Sequence, residues 1–376
     1  MTEVKKNKKG VALQKPNNTQ HKFPYEWTLK DANFTKDKGT VFSCFACGGG
    51  STMGYKLAGF DVLGCNEIDP KMIEAYKVNH KPKYAYLEPI QTFKLRKDLP
   101  KELYNLDILD GSPPCSSFSM AGNREKDWGK EKKFREGQAE QTLDTLFFDF
   151  IDLAKELQPK VVVAENVKGL LLGNAKEYVR QIYREFDNAG YYCQHWLLDA
   201  SKMGVPQRRE RVFFIALRKD LAAPFMKQVD LFTVAPELIL EFNEPEIPFK
   251  NVKTNENDNP LTEYDLSIWN LKVEGESDYC DTLKRTENRE SNWNSKYIYD
   301  DKVCNTVASS SGSKLVSFSE PRKLNDNELK QIGTFPMDYN FNNNDVKYII
   351  GMSVPPVMTA QIATKIYEQW LSKLLT

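Results

Sequence analysis

Short apolar runs alternate with apolar-periodic stretches along most of this chain. Val41-Phe42-Ser43-Cys44-Phe45, Val62 to Asn66, Leu106 to Leu109, Val161 to Ala164, Tyr191 to Leu198 and Val212 to Leu217 are brief apolar runs, and they predict buried strands. Between them apolar residues recur at helical spacing. Met53 to Leu57 opens one helix, Pro70 to about Asn79 a second, and residues 174–189 a fourth. The third is the clearest: Leu143, Leu146, Phe147, Phe150, Leu153, Ala154 and Leu157 share one face, and Pro159 stops it. From about 220 to 321 the periodicity weakens. That stretch is rich in Asn, Glu, Ser, Tyr and Trp, and reads as an inserted small domain of short strands and loops. Regular texture returns at Arg322-Lys323-Leu324, with a helix at about Asp326 to Ile332 and a closing amphipathic helix from Val357 to Leu374. No internal repeat is evident.

Composition narrows the class. A chain of 376 residues, 40% hydrophobic and 28% charged, has room for a full core and a smaller second domain. No apolar run approaches about 18 residues, so no membrane span is expected. Met1 to Gly10 is lysine-rich without an apolar centre, so a secretory signal is not expected either. Seven irregularly spaced cysteines suit a reducing, cytoplasmic setting better than a disulfide framework. The net charge is zero, so only clustering bears on nucleic acid. Residues 1–39 carry Lys5, Lys6, Lys8, Lys9, Lys15 and Lys22 and read as a basic, partly disordered arm.

Candidate chemistry gathers where strands end. After Leu109, the turn Asp110-Gly111-Ser112-Pro113-Pro114 holds Cys115 at the carboxyl edge of the sheet, where open α/β sheets bind ligands. An isolated cysteine is more often an inert small hydrophobe. The stiff Pro-Pro frame and the polar loop behind it favour a nucleophile here. Residues 116–138 form that loop, with Arg124, Lys126, Lys130, Lys132, Lys133 and Arg135 around Trp128, and read as a mobile basic lid. Glu165-Asn166 ends another strand and points to the same edge, unless Glu165 only caps the next helix. Arg209 and Arg211 alternate with Glu210 and would face one way, suiting an oxygen-rich ligand better than a surface ion-pair ladder. At the first strand, Ala46-Cys47-Gly48-Gly49-Gly50 makes a glycine turn before a helix. Glu67, at the end of the second strand, is an acid placed to hold a ribose. Together they suggest an adenosine-containing ligand. Cys44 and Cys47 form a C-x-x-C, yet with no second pair and three histidines in all, zinc or redox roles are disfavoured and no metal is expected.

In this order, these pieces closely resemble the DNA (cytosine-5) methyltransferase family of prokaryotic restriction-modification type, over residues 41–219 and 322–376. Phe45 to Gly50 resembles its first motif, with Cys47 where a glycine is usual. Pro114-Cys115 resembles the catalytic Pro-Cys, with Ser116 in place of glutamine. Glu165-Asn166-Val167, Gln207-x-Arg209-x-Arg211, Arg322 to Pro336 and Gly351 to Pro355 resemble further motifs, with Met352 in place of asparagine. The resemblance implies an α/β fold: a doubly wound, mainly parallel, S-adenosylmethionine-dependent methyltransferase sheet over 40–219 and 322–376, with a target-recognition domain inserted at 220–321. It implies S-adenosyl-L-methionine as cofactor, touching Phe45, Gly48, Gly49, Gly50, Glu67, Ile68, Ser353 and Val354. Cys115, Glu165, Arg209 and Arg211 become catalytic, through a covalent adduct at C6 of a flipped-out cytosine. The expected partner is double-stranded DNA, gripped by Ser119, Arg124, Lys130, Lys132, Arg285 and Arg289. A monomer on DNA is expected, with a cognate restriction endonuclease as a further partner. A tRNA cytosine-5 methyltransferase of the same fold and a catalytically silent DNA-binding regulator are the alternatives.

Overall fold

The computed structural model describes residues 20–114, 145–172, 176–228, 234–256, 258–291, 294–310 and 312–374, and the backbone of 131–132 and 141–142. Its centre is a seven-stranded sheet. The strands are β1 (Thr40–Cys44), β2 (Asp61–Glu67), β3 (Tyr84–Leu87), β4 (Ile108–Gly111), β5 (Val161–Val167), β6 (Tyr191–Asp199) and β7 (Glu210–Arg218). They lie in the order β3-β2-β1-β4-β5-β7-β6, and only β7 runs against the rest. The apolar runs were legible because both faces of this sheet are covered. Phe42, Leu109, Val162 and Phe214 point to one face; Val41, Ile108, Val163, Phe213 and Ile215 point to the other. Strand β3 carries no such run. It is an edge strand, Tyr84-Ala85-Tyr86-Leu87, no residue of which is fully buried, and its periodicity is correspondingly weak.

Helices α1 (Gly50–Leu57) and α2 (Pro70–His80) follow the first two strands, and α3 (Leu146–Leu157) and α4 (Lys176–Asn188) flank β5. Of the face of α3 predicted from its apolar spacing, Leu146, Phe147, Phe150, Leu153, Ala154 and Leu157 are buried beside Tyr178, Ile182 and Phe186 of α4, and Leu143 lies outside the described residues. Asp69 caps α2 by accepting from the amides of Lys71 and Met72, and Pro70 occupies the first turn, where no amide partner is needed.

Where short strands and loops were expected, residues 220–321 also hold two helices, α5 (Glu263–Trp269) and α6 (Tyr279–Glu287). Each is short and polar, and each is started by a cap: Thr262 accepts from Asp265 N–H, and Asp278 from Asp281 N–H. Strands β8 (Met226–Gln228) and β9 (Val234–Pro236) pair antiparallel, and β10 (Asn294–Ile298) and β11 (Ser313–Ser317) pair parallel. Ile268, Tyr279, Leu283, Tyr297, Tyr299 and Val316 form a small core of their own. By contrast, Leu238 and Leu240 join the main core beside Trp370, and Ile247, Phe249 and Val252 join the cluster around Trp27 and Phe335.

The chain returns through α7 (Asp326–Ile332), α8 (Val346–Met352) and α9 (Pro356–Ile366), the last widening into a π turn, Tyr367–Leu371. Helix α9 crosses α1 at Gly54, where an added Cβ would stand 2.4 Å from the Pro356 carbonyl oxygen. The half of the basic arm that is described, residues 20–39, is not free in solvent. Tyr25 and Trp27 are buried, and Trp27 Nε1 donates to the Thr334 carbonyl at 2.9 Å. The aromatics outweigh the lysines there.

Candidate active site

The carboxyl edge of the sheet collects the expected groups in two places. At the first, β4 ends in Asp110-Gly111 and continues as Ser112-Pro113-Pro114. Asp110 is 4% exposed and accepts from Ser43 Oγ at 2.7 Å and Tyr55 Oη at 3.1 Å. Burial raises its pKa to about 7, against the pull of those two donors. Ser43 faces it because β1 and β4 pair Ser43 with Asp110 in register. Gly111 has no room for a side chain: a Cβ would lie 2.6 Å from the Phe150 ring. Asn166 then ties down the turn, donating from Nδ2 to the Pro113 carbonyl at 3.2 Å while its Oδ1 accepts from Val167 N–H. The chain is thus directed rigidly as far as Pro114. Cys115, Ser119, Arg124 and Lys130 lie outside the described residues, and of Lys132 only the backbone is described.

One strand over, Glu165 and Arg211 meet. Strands β5 and β7 pair Val167 with Arg211, which makes Glu165 the diagonal neighbour of Arg211 on the same face. Arg211 Nε stands 2.9 Å from Glu165 Oε1, with the two side chains 15% and 13% exposed. Sequence reading grouped Arg209 with Arg211. The structure puts Arg209 close enough to feel both Arg211 and Glu165, but spends its guanidinium elsewhere. It is 2% exposed and donates to the carbonyls of Val307 at 3.1 Å and Gly351 at 2.8 Å. Arg211 alone of the two forms an ion pair with Glu165.

The second place is the glycine turn between β1 and α1. Phe45, Cys47 and Gly49 all adopt positive φ, at 52°, 48° and 88°, curling the backbone over the strand end. Three amides point at the Glu67 carboxylate: Cys47 N–H at 2.7 Å, Ile68 N–H at 2.8 Å and Asp69 N–H at 2.9 Å. A carboxylate has about four acceptor sites, so Glu67 keeps one for a hydroxyl. Burial raises its pKa despite these amides. The glycines are closely packed by the protein itself. A Cβ on Gly49 would meet the His80 ring at 2.2 Å, and one on Gly50 would meet the Val354 carbonyl oxygen at 2.5 Å and Ser353 Cβ at 2.7 Å. Gly48 is braced through its carbonyl, which takes hydrogen bonds from His80 Nε2 and the Tyr339 hydroxyl. Burial holds that histidine neutral, with its pKa near 3.

Gly48, Gly49, Gly50, Glu67, Ser353 and Val354 therefore converge, although Ser353 and Val354 are some 300 residues from the glycines in sequence. Ser353 Oγ is buried with only the Cys47 thiol, a weak partner, beside it. An unspent hydroxyl, a carboxylate with one free acceptor site and a strand-end turn fit a polar, ribose-bearing ligand. Phe45 packs edge-on to Phe150, and Ile68 is half-buried at the rim.

Arg285 and Arg289 sit far along the chain, on and just after α6. Arg285 Nε pairs with Glu276 at 2.7 Å, and its Nη2 donates to the Leu271 carbonyl, so its charge is used locally. Arg289 is half-exposed, with a loose 3.8 Å pair to Glu287. Sequence reading missed Asp110 and its Ser43 and Tyr55 partners, although an acid inside a buried run was the available signal. No group of three or more potential metal ligands occurs among the described residues, and no described helix is long and apolar enough to cross a membrane.

Residues 39–368 match the family described as C-5 cytosine-specific DNA methylase. The chain is similar to the Type II methyltransferase M.FnuDI of Fusobacterium nucleatum, 38% identical over 181 residues, 48% of this chain and 47% of that protein. It is 25% identical to the Type II methyltransferase M.NgoFVII of Neisseria gonorrhoeae over 348 residues, 90% of this chain and 89% of that one. The match spans about half the length of the first curated relatives, 47% and 50% for two of them. Among solved structures, a mutant of Spodoptera frugiperda DNMT2 superposes with a TM-score of 0.59 at 18% identity, covering 87% of this chain and 99% of that one. The Entamoeba histolytica methyltransferase EhMeth does so at 0.55 and 15%, covering 90% and 98%. At these identities the structural likeness bears on fold alone.

Proposed function

We propose, from the premise that this chain belongs to the C-5 cytosine-specific DNA methylase family, that it methylates C5 of cytosine within a short sequence of double-stranded DNA. The observation that carries the reading is the Glu165–Arg211 pair, half-enclosed on the strand next to the turn that leads into Cys115. S-adenosyl-L-methionine, when bound, supplies the methyl group from a sulfonium centre. Glu67 would hold its ribose, Ser353, Val354 and Gly48 to Gly50 would line its cradle, and Phe45 and Ile68 would flank the adenine.

Cytosine C5 is a weak nucleophile. The Cys115 thiolate adds to C6, and the electron pair released into the ring makes C5 able to attack carbon. Glu165 hands a proton to N3 as charge builds there, and Arg211 donates to O2. Loss of the C5 proton and departure of Cys115 restore the ring. The base must leave the duplex stack first, which gives the basic stretch 116–138, with Ser119, Arg124, Lys130 and Lys132, a role in closing over it.

Residues about 220–321 are the proposed reader of the target sequence, attached to a sequence-blind body formed by 40–219 and 322–376. The Type II names of the relatives support a cognate restriction endonuclease as partner, and the reading has the protein act as a cytoplasmic monomer. The test is incubation of the full chain with methyl-labelled S-adenosylmethionine and either genomic DNA or tRNA, followed by mapping of methylated cytosines. Label at one short DNA motif is expected. Label confined to tRNA overturns the DNA reading, and DNA binding without any transfer points to a silent regulator.

A further inference from the structure

The sequence made Arg209 a catalytic candidate together with Arg211, yet Arg209 faces two carbonyls from distant parts of the chain. Its Nη1 reaches Val307 and its Nη2 reaches Gly351, and its Nε is buried without a hydrogen-bond partner. Gln207 works on the same loop. It is 1% exposed, accepts from Val307 N–H at 3.0 Å and donates to the Ile332 carbonyl at 3.3 Å. Between them, Arg208 joins Cys304 and Thr306 through its backbone: its N–H donates to the Cys304 carbonyl at 2.9 Å, and its carbonyl accepts from Thr306 Oγ1 at 2.7 Å. The loop and the turn also touch directly, since a Cβ on Gly351 would stand 2.5 Å from Ser309 N. Two and three residues beyond Gly351, Ser353 and Val354 press on Gly50 of the glycine turn.

We infer that Arg209, backed by Gln207 on the same loop, clasps the loop 304–310 to the turn 351–354, so that binding of DNA and binding of the cofactor reinforce each other. The inference rests on the reading above, in which the loop leaves the DNA-reading segment and the turn lines the cofactor cradle. Arg209 is then a positioning residue. A cation buried beside the Glu165–Arg211 pair is a costly way to tie two carbonyls, since burial and Arg211 both oppose its charge. A guanidinium is nevertheless suited to hold both ends at once, because its planar fork fixes the angle between two acceptors. When DNA fixes the loop, Val307 can no longer drift from Arg209, and Gly351 is held with it. By reciprocity, a cofactor that orders Ser353 and Val354 favours the DNA-bound loop by the same factor.

The test is calorimetric titration of S-adenosylhomocysteine into the full chain, with and without sonicated genomic DNA. In the wild type, DNA should tighten that ligand about 5- to 150-fold, the usual range for linked sites. Arg209→Lys keeps the charge but cannot span both carbonyls, and should bring this ratio to about one while altering the DNA-free affinity less than about threefold. A tie that served only packing would lower the melting temperature and weaken both affinities equally, leaving the ratio intact. Should Arg209→Lys fail to fold, Gln207→Leu loosens the same loop with Arg209 in place and should lower the same ratio. An unchanged ratio in the folded variants overturns the clasp. So does a wild type that methylates DNA yet shows no enhancement. A wild type that neither methylates nor binds the ligand removes the functional reading, and the clasp with it.

Discussion

Acid–base pairs occur both on the sheet edge and in the segment 258–317, and they are used in opposite ways. In the segment the two buried carboxylates, Glu276 and Asp265, are filled by their own neighbourhoods. Glu276 takes Arg285 Nε, Thr282 Oγ1 and Val273 N–H, and Asp265 takes Lys314 and Thr262 at the start of α5. These pairs substitute for apolar burial in a unit whose own core is small. On the edge, Glu165 meets a single cationic partner among the described residues, and Glu67 keeps an acceptor site free. The difference teaches that a buried charge marks a site only when its hydrogen-bonding capacity is left over. Arg211 and Arg285 are the same residue type, each at 2.7–2.9 Å from a glutamate, and only one faces the edge.

The largest expected effect lies at the edge. Glu165→Gln keeps the shape but cannot supply the proton, and should lower methyl transfer by roughly 10²–10⁴-fold with DNA binding retained. Single-turnover transfer of label, read beside a gel-shift assay, checks this; full activity in the variant would remove Glu165 from its role. Next comes the free acceptor site. Glu67→Ala should weaken S-adenosylmethionine binding by about 1.5–3 kcal/mol, the scale of hydrogen bonds to a charged group. Calorimetry measures it, and DNA affinity alone should hardly move.

A smaller effect is expected in the segment, of a different kind. Arg285→Ala strands the Glu276 carboxylate and should cost about 1–2 kcal/mol of stability without changing which sequence is methylated. Arg289→Ala, at a half-exposed and loosely paired site, should leave stability alone and reduce the salt dependence of DNA binding by about one unit of slope. A shifted methylation pattern from Arg285→Ala, with unchanged melting, would erase the contrast drawn between the two regions.

A further effect concerns Asp110, and its sign follows from burial. With its pKa raised to about 7, the folded state binds the Asp110 proton more tightly than the unfolded chain does. This contribution is complete below about pH 4 and is lost as pH rises through about 7. Asp110→Asn, which cannot ionise, should flatten that part of the melting-temperature profile. A fall of the same steepness in the variant would assign the pH dependence to other groups.

The sequence by itself determined the strands buried on both faces, the helices with a continuous apolar stripe, and the strand ends at which chemistry could gather. Each of these is written in consecutive residues: Val161 to Ala164 has to be covered on both sides, and Leu146 to Leu157 has a single face to bury. The helices α5 and α6 and the edge strand β3 stayed hidden because caps and pairing, not periodicity, define them. Only the tertiary structure decided which of two alternating arginines meets Glu165. Spacing puts Arg209 and Arg211 on one side, but the carbonyls of Val307 and Gly351, 98 and 142 residues away, capture the first. It also brought Ser353 and Val354 onto Gly50, through the crossing of α1 and α9 at Gly54. Periodicity carries information about burial along one element, whereas the choice of a hydrogen-bond partner depends on which distant backbone arrives there.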